Sequence, residues 1–221
     1  MSRLEELRKA NPHLTIYSVY DEAFKPFGCV VNYDTAKVCE IVNANSPMPE
    51  EGVRYVPWLD ALDQSEEAVK MTQLLAGQLD EEWGLCWGYN DAMNGLEWHT
   101  CNEFNVGVTD LVLFLGLRGD IDAEGRLDAN KVKAFYLPQG TMIEVFSHSL
   151  HLAPAMIDKN GFRCVVGLAR GTNTKPNEDE LKTPNMTAKN KWMIFHEDNP
   201  HFAGKDVKGI YGENWHLNQI D

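Results

Sequence analysis

Short runs in which apolar and polar residues alternate, broken by Gly, Pro, Asn and Asp at roughly ten-residue intervals, dominate the chain. This two-residue period predicts strands over 14–20, 28–33, 83–89, 96–106, 132–137, 141–147, 161–168 and 192–195. The run 110–116, rich in Leu, Val and Phe, reads instead as a strand buried on both faces. Helical spacing appears in two places only. Ser2 and Glu5 have the form of a capping box, so a short helix begins at once and stops before Asn11-Pro12. Val69, Met71, Leu74, Leu75 and Leu79 fit one apolar face of a helix over 66–79. Asn94-Gly95, 122–125 and Pro138-x-Gly140 read as turns, while 43–57 and 170–189 read as loops. The pattern predicts an all-β protein, mainly β with a few peripheral helices, in the form of a barrel or sandwich.

At 221 residues, of which 43% are hydrophobic, the chain can bury one sizeable core. A single domain over 1–221 is the expectation: N-terminal helices and strands over 1–80, a barrel core over 81–200 and a tail over 201–221. Against 33 acidic residues stand 20 basic ones, a formal charge of −13. That surface repels phosphate backbones and anionic lipid, so neither nucleic acid nor membrane is an expected partner. Lys182, Lys189 and Lys191 come closest to a basic patch and are diluted by neutral residues. The N-terminus mixes charges and lacks the apolar core of an export signal, which predicts a cytoplasmic protein. The five cysteines are widely spaced and contain no C-x-x-C pair, as suits a reducing compartment.

The chemistry concentrates in NGLEWHTCNE, residues 94–103. On a strand, Glu97, His99, Cys101, Glu103 and Asn105 share one face. Two carboxylates, an imidazole and a thiol on an inward face need a cation or mutual pairing. Imidazole and carboxylate donors suit Zn, Mn, Fe or Ni. His99 and Glu103 would be about 13 Å apart on a flat strand, so a shared metal requires a bulge or twist near Asn102. Spacing alone leaves two readings open: a metal site, or hydrogen-bonded and solvated residues on an edge strand.

A second stretch, PQGTMIEVFSHSLHLAP, supplies Glu144 and His151, with His148 on the Glu144 face as a substrate-contacting or solvated group. Trp87, Tyr89 and Trp98 could stack on a sugar ring, or simply pack in the core. Cys101 reads as a small buried hydrophobe, and Gly171-Thr-Asn-Thr lacks the lysine of a phosphate loop. His196, His201 and His216 fall in a tail without ligand spacing.

The segments LEWHTCNEFNVGVTD, VKAFYLPQGTMIEVF, SLHLAP, GTNT and NKWMIFH resemble a bacterial cupin-like family of unknown function, over nearly the whole chain. Its members are often encoded near genes of hexose and pentose catabolism. The resemblance implies a cupin-like β-barrel, that is, a double-stranded β-helix, with a divalent metal ion at its mouth. By position His99 and Glu103 match a degraded first cupin motif and His151 the second, with Cys101 where a second histidine is usual. Glu144 joins them as a ligand on the argument that it faces the same interior, and Glu97 is assigned as the proton-carrying base. His148, Trp87 and Tyr89 then fall to the substrate. The implied function is a metal-dependent isomerase or epimerase of a sugar or sugar phosphate. The alternatives are a ureidoglycolate-lyase-like lyase acting on a hydroxy acid, and a non-catalytic sugar-binding cupin. The expected partner is a small-molecule substrate, and the resemblance implies a homodimer.

Overall fold

A computed structural model of the chain describes residues 1–176, 183–199 and 209–221. Along the chain, α1 (Arg3–Ala10) precedes β1 (Ile16–Ser18) and β2 (Gly28–Val31). Then come α2 (Ala36–Asn45), β3 (Val53–Val56), α3 (Asp60–Asp63) and α4 (Glu66–Leu75). Strands fill most of the remainder: β4 (Glu81–Gly88), β5 (Gly95–Trp98), β6 (Glu103–Gly107), β7 (Leu111–Leu117) and β8 (Leu127–Asp128). After them come β9 (Lys133–Leu137), β10 (Met142–Val145), β11 (Ser149–Leu150), β12 (Ala155–Met156) and β13 (Phe162–Ala169). The last three are β14 (Met186–Ala188), β15 (Lys191–Phe195) and β16 (Ile210–Tyr211). The protein is mainly β with few helices, about 20% helix and 35% strand.

Two sheets face each other. One has the order β2-β10-β6-β13-β4-β3; the other runs β1-β9-β7, with β11 and β12 both on β7. A three-stranded sheet, β14-β15-β5, lies beside them. No ladder among the described residues joins these sheets into a closed barrel, so the expected closure is absent there.

Three apolar clusters explain why the strands are so hydrophobic. Leu111, Leu113 and Leu115 of β7 point between the two sheets, onto Ile143, Val145, Cys164 and Val166. Val112 and Phe114, on its other face, pack with Leu7, Ile16, Leu96 and Ile194. A strand feeding two cores cannot alternate with polar residues, which is why β7 reads as a continuous apolar run. The outer face of the six-stranded sheet carries Trp83, Leu85, Trp87 and Phe104 against Val38, Val42, Leu62 and Met71 from α2, α3 and α4.

Several local expectations need correction. Ser2 and Glu5 do form a capping box, and Asn94 and Gly140 do take positive φ. The 66–79 helix, however, stops at Leu75, and Val69, Leu74 and Leu79 are exposed rather than packed. The expected 43–57 loop contains β3, and the 170–189 loop contains β14, with part of it outside the described residues. Lys182 and His201 also lie outside the described residues. The expected strand 96–106 is in fact two strands in different sheets, β5 and β6, separated at 99–102. All five cysteines carry free thiols, and among the described residues no helix is long and apolar enough to cross a membrane.

Candidate metal centre

The break between β5 and β6 creates the site. β5 pairs with β15, and β6 pairs with β10 and β13. The chain therefore passes from one sheet to another through His99–Asn102 and turns back on itself. Glu97 and Glu103, which a continuous strand would hold far apart, both face the interior there, 7% and 5% exposed. His151 arrives from the segment after β11, where its main chain forms an isolated antiparallel bridge with Glu97.

His99 is the centre of this cluster and 1% exposed. Its Nδ1 lies 2.7 Å from the Asn190 carbonyl oxygen, an acceptor, so Nδ1 must carry the hydrogen. Nε2 then faces the interior, 3.5 Å from Glu103 Oε2 and 3.7 Å from Glu97 Oε1, with no hydrogen-bond partner. In a neutral ring that nitrogen presents a lone pair to two carboxylates. Such an arrangement is repulsive unless a cation stands between them. A proton is one such cation: although burial opposes it, the Glu103 and Glu97 carboxylates push the His99 pKa up to about 10.

The same spacing suits a metal ion. Donors around a cation at about 2.1 Å are themselves roughly 3.0–3.4 Å apart, close to the separations at Nε2. Glu97, His99 and His151 each bring a donor atom to within 4.8 Å of the others. His151 Nε2 is 3.0 Å from Glu103 Oε2, while Asn105 Nδ2 donates to Glu103 Oε1 over 2.8 Å. Lys191 sits two residues before Met193, the register partner of Glu97, and its ammonium forms an ion pair with Glu97 Oε2. Burial works against ionising Glu97, but Lys191 and His99 outweigh it and hold its pKa near 2. Burial likewise opposes ionisation of Glu103, and His151 and His99 drive its pKa well below the usual range. Both carboxylates are anions and the pocket attracts positive charge.

A cavity of about 40 Å³ adjoins these groups, walled by Tyr55, Leu113, Cys164, Val166 and Asn173. It is large enough for two or three water-sized atoms. Leu152 and Ala153 separate it from a wide groove of about 1000 Å³ that Tyr89, Met93, Met193 and Phe195 line.

The other residues singled out in the sequence lie elsewhere. Glu144 stands opposite Phe104 on β6 and Cys29 on β2, a register that turns it to the outer face. There it accepts hydrogen bonds from Asn102 Nδ2 and the Cys29 thiol, so it is not a member of the cluster. His148 is exposed, with Nε2 at 2.9 Å from the Pro26 carbonyl. Trp87 packs in the outer core and donates from Nε1 to the Pro47 carbonyl, away from the cavity. Tyr89 lines the groove but not the cavity. Trp98 is stacked between Trp192 and the Arg118 guanidinium. Cys101 Sγ accepts from Asn190 Nδ2 and offers no donor to the cluster. Lys191, Asn190, Asn105, Tyr55 and Asn173 belong to the site, and sequence spacing gave no signal for them. Each is supplied by strand pairing across long separations.

Comparison with solved structures finds distant, partial overlaps. Oxalate decarboxylase of Bacillus subtilis, studied for its Mn(II) centres, overlaps 57% of this chain and 27% of its own, at 15% identity and a TM-score of 0.32. The non-heme α-ketoglutarate-dependent epimerase SnoN of nogalamycin biosynthesis overlaps 75% and 82%, at 14% identity and a TM-score of 0.39. Vicilin of Corylus avellana overlaps 67% and 33%, at 9% identity and a TM-score of 0.32. The chain thus spans under a third of the oxalate decarboxylase chain. No curated protein matches the sequence. Residues 16–215 match one family model, and the chain belongs to that family, described as a domain of unknown function, DUF4867.

Proposed function

We infer that this chain is a metal-dependent enzyme that isomerises or epimerises a sugar-like molecule. The observation that carries the reading is His99 Nε2, buried, without a hydrogen bond and aimed between two carboxylates. Glu97, His99 and His151 would hold the ion, and their nitrogen and oxygen donors suit Zn, Mn, Fe or Ni. When bound, such an ion polarises a carbonyl and stabilises the negative charge that develops on its oxygen.

The chain's own groups supply the rest. Asn190 fixes the His99 tautomer through Nδ1. Lys191 keeps Glu97 charged. One carboxylate is surplus to a two-histidine, one-carboxylate set, and Glu103 fills that role. Asn105 holds one of its oxygens in place at the cavity wall, where the other can take a proton from a substrate carbon and return it to the neighbour. Leu113, Val166, Ala153 and Pro154 give that part of the cavity an apolar wall.

The test is elemental analysis of protein purified without chelator, paired with NMR detection of solvent deuterium entering aldoses and ketoses. Wild type is expected to carry near-stoichiometric metal and to catalyse exchange. His99→Ala and His151→Ala should lose the metal, and Glu103→Gln should keep it while exchange falls at least a hundredfold. Metal-free wild type, or full occupancy in both histidine variants, would sink the reading.

A further inference from the structure

The wall of the small cavity away from the histidines holds a pair of polar groups that the metal does not need. Tyr55, on β3, is the register partner of Cys86 and so points between the sheets. Asn173, in the turn after β13, donates from Nδ2 to the Tyr55 hydroxyl oxygen over 2.8 Å. That bond leaves two capacities unused. The Tyr55 hydroxyl retains its own hydrogen, and Asn173 Oδ1 is buried with no hydrogen-bond partner. Both side chains line the cavity together with Glu97, Glu103 and His151. A buried amide oxygen without a partner is destabilising, so the position calls for something that donates to it.

We propose that Tyr55 and Asn173 are the positioning pair for the hydroxyl-bearing end of the substrate, and that they select a neutral polyol chain over an acid. The chemistry is directional. A carbinol group can donate its hydrogen to Asn173 Oδ1 while its oxygen, or that of a neighbouring hydroxyl, accepts from Tyr55 O–H. A carboxylate or phosphate oxygen could accept from Tyr55 but has no hydrogen for Oδ1, and two lone pairs would meet. With about 40 Å³ available, only one or two hydroxylated carbons enter, and the rest of the substrate lies towards the groove beyond Leu152 and Ala153. The inference rests on the enzyme reading for its word "substrate", yet its binding chemistry needs no turnover.

Binding of tetritols, pentitols and hexitols, and of the matching aldonates, to the protein as purified is measured by saturation-transfer NMR and calorimetry. Tyr55→Phe removes only the hydroxyl. Asn173 has φ 63°, which glycine tolerates, so Asn173→Gly removes the amide without backbone strain. At least one alditol is expected to bind wild type, and to bind each variant about tenfold more weakly, one hydrogen bond lost each time. Aldonates should bind more weakly than alditols throughout, and metal content should be unchanged in both variants. No alditol binding to wild type, equal affinity in both variants, or tighter aldonate binding would overturn the proposal. A wild type without metal that still shows the alditol pattern would overturn the enzyme reading alone and leave the Tyr55–Asn173 pair standing.

Discussion

An imidazole buried between carboxylates has little freedom: one nitrogen is anchored by a carbonyl and the other must meet a positive charge. His99 is in that state, whereas the buried carboxylates Glu81 and Glu82 are in a different one. Burial first, then the charges of Glu82 and Asp80, raise the Glu81 pKa from 4.5 to about 7, with Arg170 opposing. A raised folded-state value means the native protein holds a proton that the unfolded chain has released between those limits. The stabilising contribution is therefore present below pH 4.5 and lost as pH rises through 7. Glu81→Gln is expected to raise the melting temperature at pH 8 and leave it nearly unchanged at pH 4.5, as calorimetry at the two pH values will report. An equal shift at both would refute the assignment. His99 and Glu103 stood out by residue type, but the period of two that put them on one face does not hold, because the chain changes sheets at 99–102. Glu144 was misplaced because the face of one strand cannot be referred to that of another without the register. Tyr55 and Asn173 left no mark, since 118 residues separate them in sequence.

Strands and turns follow the pattern where one face decides the matter. β7 was visible as an apolar run and β9 and β13 as short strands between turns, and the Pro138–Gly140 turn closes by a Thr141 N–H to Pro138 O hydrogen bond. The exposed apolar residues of α4 misled because they obey helical spacing without packing on anything among the described residues. Short β3 and β14, bounded by Pro, Gly and Asn, carry too few residues for a period to register. Element packing is close where β13 pairs with β4. Gly167 is the register partner of Trp83, and a Cβ there would lie 2.4 Å from the indole ring. Trp83 is 1% exposed and donates from Nε1 to Thr72, so the ring cannot swing away. Gly167→Ala is expected to destabilise by about 1–3 kcal/mol, read as a lower urea midpoint with an unchanged slope. A midpoint equal to wild type would show that the ring has room to shift.

The architecture as a whole is two packed sheets with helices on the outer face of each, and the alternating pattern foretold the β-rich class. What the pattern could not foretell was that one apparent strand serves two sheets. Glu97 and Lys191 belong to the β14-β15-β5 sheet, Glu103 belongs to the six-stranded one, and His151 follows β11. The cluster is thus a fastener between separately hydrogen-bonded layers, and a cation there would hold them as a bolt holds plates. Chelation should loosen that joint rather than soften the protein evenly. An ion present at a hundred times its dissociation constant adds about 2.7 kcal/mol, so its removal should lower the melting temperature by roughly 5–10 °C. Amide exchange should quicken first along 95–98 and 191–195, while β7 and β13 stay protected, and uniform exchange after chelation would show that the layers do not depend on the bolt.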